Sequence, residues 1–151
     1  MVTKKTILIF LVLLVVDQLT KIVINLTQAS FDIHIFAINL VQNTGAIWGF
    51  FKDSNMTFIW ISIIVIGVLI YFNDQVPTKG WVFYLMIFTG IVGNLLDRIF
   101  LGHVTDFLDF KVWPVFNFAD AYISIGVIGL IIVFMWKEYQ LKSSNSSNLS
   151  K

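Results

Sequence analysis

The residues best able to do chemistry in this chain are carboxylates. The stretch Gly102–Asp120, reading GHVTDFLDFKVWPVFNFAD, places Asp106 and Asp120 on either side of a short apolar segment. It lies between two long hydrophobic runs, so its acids sit at or near a membrane surface, where charged groups are costly and usually have a function. Two carboxylates close together in a partly dry site cannot both ionise easily and can share one proton. That state suits hydrolysis of an amide, with one Asp taking a proton from water while the other, protonated, hydrogen-bonds the scissile carbonyl. Other chemistries lack their residues. Cysteine is absent, which removes thiol nucleophiles, disulfides and Cys-based metal sites. The two histidines, His34 and His103, do not form an H-E-x-x-H spacing, which argues against a zinc protease. No metal or other cofactor is expected.

The elements that must position these acids are membrane spans. Of 151 residues, 58% are hydrophobic and 13% charged, more apolar surface than a soluble domain of this length could bury. A net charge of +1 with no basic stripe excludes nucleic acid as a partner. Four apolar segments predict spans over 6–26, 56–72, 81–101 and 120–137. The fold class is therefore membrane all-α with a small β element: a four-transmembrane-helix bundle carrying a short extracytoplasmic β-sheet or cradle between helices 1 and 2 and before helix 4. Residues 1–142 form one integral membrane domain, and the Ser- and Asn-rich residues 143–151 read as a disordered cytoplasmic tail. Lys4 and Lys5 followed by Thr6–Val16 look like a secretory signal peptide, but no small-residue cleavage site follows and apolar character resumes at Ile22–Leu26.

Between the first two spans, Phe31, Ile33 and Ile35 alternate with Asp32 and His34, a strand pattern in which His34 is an exposed residue without chemistry. Gln42–Gly45 reads as a turn, followed by the small and aromatic residues Ala46, Trp48 and Gly49. This segment predicts a small sheet at the membrane surface, with Trp48, Phe50 and Phe51 at headgroup level. Val104, Asp106 and Leu108 alternate with Thr105, Phe107 and Asp109, which predicts another strand.

Several polar residues lie inside the spans. Asp17 and Lys21 have the favourable i, i+4 order for an ion pair on one face of helix 1, which reads equally as a structural pair or a part of the site. Asn94, Asp97 and Arg98 share a face of helix 3, and Gly90 and Gly93 allow close approach there. For Asp97 and Arg98 the plain alternative is a membrane-edge charge pair. For Asp120 it is a helix cap, since N-x-x-D before an apolar helix is an ordinary capping arrangement. Four spans put both termini on one side together with Lys4, Lys5, Lys79, Lys137, Lys142 and Lys151, leaving Lys21, Lys52, Arg98 and Lys111 toward the other. The positive-inside bias makes the termini cytoplasmic. At about 1.5 Å per residue, Asp17, Asn94, Arg98 and Asp120 then all fall in the outer third of a hydrocarbon core about 30 Å thick.

Spacing alone leaves Asp97, Asp106 and Asp109 open as partners for Asp120. Arg98 beside Asp97 favours its ionised form, and Asp109 lies on the strand face opposite to Asp106. A transporter reading needs polar residues continuing across the membrane, which Met56–Phe72 and Ala121–Trp136 do not supply. A scaffold that binds without cutting is a further alternative.

Five segments in order resemble the lipoprotein signal peptidase family, the bacterial signal peptidase II. Asp17–Lys21 (DQLTK) is similar to its D-x-x-T-K box, and Asn43–Gly49 (NTGAIWG) to N-x-G-A-x-W-G. Gly93–Arg98 (GNLLDR) is similar to G-N-x-x-D-R, Val104–Phe107 (VTDF) to V-V-D-F, and Phe116–Asp120 (FNFAD) to F-N-x-A-D. The resemblance covers nearly the whole chain. It implies an aspartyl dyad at Asp106 and Asp120, with Asn43, Gly45, Asn94, Asp97, Arg98 and Asn117 shaping the site and Asp17 and Lys21 supporting it. The choice of Asp106 rests mainly on it. It also implies an outward-facing crevice in the bacterial cytoplasmic membrane and a monomer that cleaves diacylglyceryl-modified prolipoproteins before the modified cysteine, with membrane lipids around it and globomycin-type peptides as inhibitors. Gln42 stands where Arg is usual, Thr89 where a first Gly is common and Ile47 where Ala is usual, and the segment between the two aspartates is shorter than in several relatives.

Overall fold

The computed structural model describes residues 3–45 and 54–149, with side chains described to 143. Ala46, Ile47, Trp48, Gly49, Phe50 and Phe51, and with them the expected headgroup anchor, lie outside the described residues. In chain order the elements are α1 (Lys4–Thr27), β1 (Phe31–Asp32), β2 (Ala37–Asn43), α2 (Asn55–Phe72), α3 (Trp81–Phe100), β3 (Val104–Asp109) and α4 (Phe118–Leu149). Two short 3-10 turns, Asn73–Gln75 and Thr78–Gly80, join α2 to α3. Four helical segments, Lys4–Thr27, Asn55–Gln75, Thr78–Phe100 and Phe118–Ser143, are long and apolar enough to cross a membrane. The chain is a multi-pass membrane protein.

Helix α3 is the axis of the bundle and packs against α1, α2 and α4. It buries Tyr84, Leu85, Ile87, Thr89, Gly90, Gly93, Asn94 and Asp97, whereas α2 buries no residue and packs chiefly on α3. The two expected small residues do what their size allows. A Cβ on Gly90 would run into the carbonyl oxygen of Ala119 on α4, and one on Gly93 would lie 2.6 Å from Asp17 Oδ2 on α1. Three helices therefore meet at the level of residues 90–93.

The sheet is antiparallel in the order β1-β2-β3, with Asn43 opposite Val104, Val41 opposite Asp106 and Ala37 opposite Asp109. Strand β3 leads into α4 through a closed loop: Phe107 and Leu108 both donate to the Phe116 carbonyl, at 3.0 and 2.8 Å, and Phe116 N donates back to Leu108 at 3.0 Å. This closure returns the chain to β3, so that Asn117 and the first turn of α4 begin beside Asp106. An edge-to-face contact between Phe107 and Phe118, centroids 5.5 Å apart, packs the junction.

Three expectations are corrected. The alternating segment 31–35 is not one strand. Only Phe31–Asp32 pairs with β2, and the chain then turns, with His34 at φ 66° donating its N–H to Asp32 Oδ1 at 2.9 Å. An Asp side chain that captures a backbone N–H two residues on favours a turn over a continuing strand. Gln42 and Asn43 belong to β2 rather than to the turn that follows it. Helix α4 continues to Leu149, past Ser143 where a disordered tail was expected. Residues 137–149 contain no Gly or Pro to break it, and Glu138 and Lys142 form an i, i+4 pair at 2.6 Å.

Candidate active site

The site is assembled from α1, the end of β2, α3, β3 and the start of α4. Lys21 lies at its base, 2% exposed, with its ammonium spent on three acceptors: Asp17 Oδ2 at 2.9 Å, Asp97 Oδ2 at 3.0 Å and Asn94 Oδ1 at 3.0 Å. Three donors with three acceptors is the condition under which a buried ammonium is tolerated. Both carboxylates also hold backbone. Asp17 Oδ1 accepts the N–H of Ala119 at 2.9 Å, and Asp97 Oδ2 accepts the N–H of Thr105 at 3.3 Å. Ala119 immediately precedes Asp120, and Thr105 immediately precedes Asp106. Lys21 thus joins two clamps, one on the main chain just before each of the two acids.

Three asparagine amides then face the acids. Asn43 donates Nδ2 to Asp106 Oδ2 at 2.9 Å, Asn117 donates Nδ2 to Asp106 Oδ1 at 2.6 Å, and Asn94 donates Nδ2 to Asp120 Oδ1 at 2.8 Å. The opposite end of each amide is committed. Asn43 Oδ1 accepts Gly45 N at 3.1 Å, Asn117 Oδ1 accepts Asp120 N at 3.0 Å, and Asn94 Oδ1 accepts Lys21 Nζ. An amide whose oxygen is held by a donor can present only its NH2 to the carboxylate, so the orientation of all three follows from their partners. Asn117 touches both acids, because its own N–H also donates to Asp120 Oδ2 at 3.3 Å. The capping reading of Asp120 is therefore correct as geometry, and the same carboxylate still turns its other oxygen toward Asn94.

Asp106 is 2% exposed. Burial, followed by the charge of Asp120, pushes its carboxyl up to about 7, against the opposing hydrogen bonds from Asn43 and Asn117. The outer acids behave in the opposite sense. Asp109 is held below the usual carboxylate range by the backbone N–H of Lys111 and the amide of Asn39, and Asp32 by the Lys111 ammonium. Lys111 Nζ ties the two together, 2.8 Å from Asp32 and 3.3 Å from Asp109. Asp109 accordingly belongs to a surface link between the hairpin and the β3–α4 loop, and Asp106 faces inward.

Asp17, Lys21, Asn43, Gly45, Asn94, Asp97, Asp106, Asn117 and Asp120 all enter this network. Arg98 does not pair with Asp97 as its sequence position suggested. Its guanidinium lies 5.1 Å from the centroid of the Phe58 ring and donates to the Asn94 carbonyl at 3.4 Å, while the cation beside Asp97 is Lys21. Sequence reasoning missed Gln18, whose amide donates to Asp17 Oδ2, to the Gly93 carbonyl and to Asp97 Oδ1 at 3.0–3.2 Å. It also missed Asn25 and Thr105, joined at 2.7 Å. The spacing 17, 21, 25 along one helix face was the available signal for Asn25. Among the described residues no group of three His, Cys, Asp or Glu side chains has an arrangement that could hold a metal ion.

A cavity of about 390 Å³ opens beside Asp120, walled by Phe110, Trp113 and Phe116 from the loop and by Ala121, Ser124 and Ile125 from α4. A recess beside Asp120, in a bundle of four helices long and apolar enough to cross a membrane, places the molecule among multi-pass membrane proteins. A solved structure described as a bacterial membrane enzyme superposes with a TM-score of 0.81 at 34% identity, over 91% of this chain and 91% of that one. A second, described in the same words, gives 0.77 at 34% identity over 86% and 92%. The sequence comparisons narrow the class. Residues 9–136 match the family described as Signal peptidase (SPase) II. The lipoprotein signal peptidase of Halothermothrix orenii is 36% identical over 138 residues, 87% of this chain and 94% of that protein. That of Staphylococcus aureus strain RF122 is 36% identical over 142 residues, 86% and 87%. The chain belongs to the signal peptidase II family, a family of peptidases.

Proposed function

We propose that this chain is an aspartic endopeptidase of the membrane, which removes the signal peptide from prolipoproteins by hydrolysing the bond before a diacylglyceryl-modified cysteine. The observation that carries the aspartic assignment is the sharing of Asn117 by Asp106 and Asp120 in a buried site. With its carboxyl raised to about 7, Asp106 holds the shared proton near neutral pH and hydrogen-bonds the scissile carbonyl. Asp120 takes a proton from the attacking water as the new C–O bond forms, and Asp106 gives its proton to the carbonyl oxygen. Collapse of the tetrahedral intermediate breaks the C–N bond, the departing amine leaves with the proton held by Asp120, and Asp106 regains its own. Asn43, Asn94 and Asn117 keep the two carboxylates oriented, and Asp17, Lys21 and Asp97 hold the backbone that carries them. Gly45 anchors Asn43 through its N–H. Arg98 supplies positive charge at the same level of α3.

The same reading makes the chain a monomer of the bacterial cytoplasmic membrane, surrounded by lipid, with both termini in the cytoplasm and the acid pair toward the outer face. Lys4, Lys5, Lys79, Lys137 and Lys142 at the end of the bundle away from the acids support this orientation. Globomycin-type peptides are the expected inhibitors, and chelators are expected to leave activity unchanged. The test is cleavage of a lipid-modified precursor by purified protein in detergent, followed by mass spectrometry of the products. Asp106→Asn and Asp120→Asn are each expected to unfold at near the wild-type temperature and to lose turnover by at least a thousandfold. Turnover within tenfold of wild type in either folded variant removes the dyad.

A further inference from the structure

At the end of the bundle away from the acids, the turn Thr78–Gly80 presses against α4. Gly80 permits the contact, because a Cβ there would sit 2.8 Å from Leu130 Cδ2. The approach leaves a recess of about 880 Å³ whose rim carries Thr78, Lys79, Trp136, Lys137 and Gln140 and whose floor includes Ile132. Two ammonium groups from separate elements line one opening, and no carboxylate does. Glu138, the acid beside Lys137 in sequence, is paired with Lys142 at 2.6 Å. Asp74, in the preceding turn, accepts a hydrogen bond from Asn73 at 3.0 Å. Among the described residues neither Lys79 nor Lys137 has an ion-pair partner. The chemistry changes along the recess. Its mouth offers two cations, a hydroxyl, an amide and an indole, the group that favours headgroup depth. Its floor continues into the exposed apolar surface of α4, at Ile132, Ile131 and Ile128.

We propose that this recess binds an anionic glycerophospholipid, with its phosphate between Lys79 and Lys137 and an acyl chain along the Ile128–Ile132 surface of α4. Basic recesses between spans recognise anionic headgroups by this combination of charge at the surface and hydrocarbon below. A soluble anion uses only the mouth and leaves the apolar floor unfilled. The inference is independent of the peptidase assignment, since it involves neither Asp106 nor Asp120.

The experiment titrates detergent-purified protein with phosphatidylglycerol or with phosphatidylcholine of the same acyl chains and counts bound lipid by native mass spectrometry. Phosphatidylglycerol is expected to be retained on the order of tenfold more strongly. Lys79→Gln/Lys137→Gln is expected to lower its retention to that of phosphatidylcholine, and Lys79→Arg/Lys137→Arg to preserve the preference. Lys5→Gln, at the same end of the bundle but lining a different cavity, is expected to leave it unchanged. Equal retention of the two lipids by the wild type overturns the site. So does a fall in Lys5→Gln as large as in the double variant, which would indicate only a diffuse surface field. Displacement of the bound lipid by millimolar glycerol phosphate would reassign the recess to a soluble anion.

Discussion

Replacing Lys21 by Met removes the ammonium that joins Asp17, Asp97 and Asn94 while keeping most of the side chain's volume. Lys21, Asp17 and Asp97 are 2%, 1% and 3% exposed, so the change cannot be absorbed by solvent. The formal charge of the three-residue cluster goes from −1 to −2, with two acids left in a nearly dry site. Removing one partner of a buried ion pair costs about 3–5 kcal/mol, because the remaining charge is uncompensated. The charge arithmetic also orders a series. Asp97→Asn leaves the Asp17–Lys21 pair at zero, Lys21→Met/Asp97→Asn leaves −1, and Lys21→Met leaves −2. Stability should therefore fall in the order Asp97→Asn, double variant, Lys21→Met, even though the double variant carries more substitutions than Lys21→Met. The same loss frees the Asn94 amide, whose oxygen keeps only the Asn117 contact at 3.2 Å, so cleavage should fall further than the folded fraction does. Thermal unfolding in detergent, followed by intrinsic fluorescence and paired with a cleavage assay on the same sample, reads both effects. A Lys21→Met protein within about 1 kcal/mol of wild type, the scale of an exposed pair, would refute the buried-cluster reasoning. A double variant less stable than Lys21→Met would refute the charge ordering.

Gly93→Ala puts a methyl carbon 2.6 Å from Asp17 Oδ2, and overpacking of this kind costs about 1–3 kcal/mol. Since Asp17 must then shift away from the Ala119 N–H, cleavage is expected to drop more than thermal stability, and unchanged activity would count against the clamp. The Asp106 carboxyl is raised from 3.8 to about 7, so the folded chain binds that proton more tightly than the unfolded chain does. Its contribution is therefore most favourable below about pH 4, declines as pH rises to about 7, and is constant above, an upper limit of about 4 kcal/mol across the window. Asp106→Asn should remove that part of the pH dependence, as measured by the difference between wild-type and variant unfolding from pH 4 to 8. Parallel curves for the two proteins would show that Asp106 is not raised.

The spans were legible because hydrocarbon demands continuous apolar sequence, and the structure has four long apolar helices. Strand β3 was legible from the alternation around Asp106. The partner of Asp97 was not. Arg98 is adjacent in sequence, yet neighbouring residues on a helix point about 100° apart, and the cation that reaches Asp97 comes from α1. Gln18 escaped for a similar reason, because its acceptors on α3 lie 75 and 79 residues away. His34 was misplaced because a two-residue strand followed by a turn carries the same alternation as a longer strand. The network at the acids depends on long-range contacts that periodicity does not encode.

Asp17, on α1, holds the main chain of α4, which is synthesised about a hundred residues later. A chain still leaving the ribosome that has made α1, α2 and α3 lacks Asn117 and Asp120, and its Asp17 carboxylate, already paired with Lys21 and Gln18, has no Ala119 N–H to hold. The arrangement of Asp106, Asn117 and Asp120 is therefore completed only when α4 has inserted beside α1 and α3.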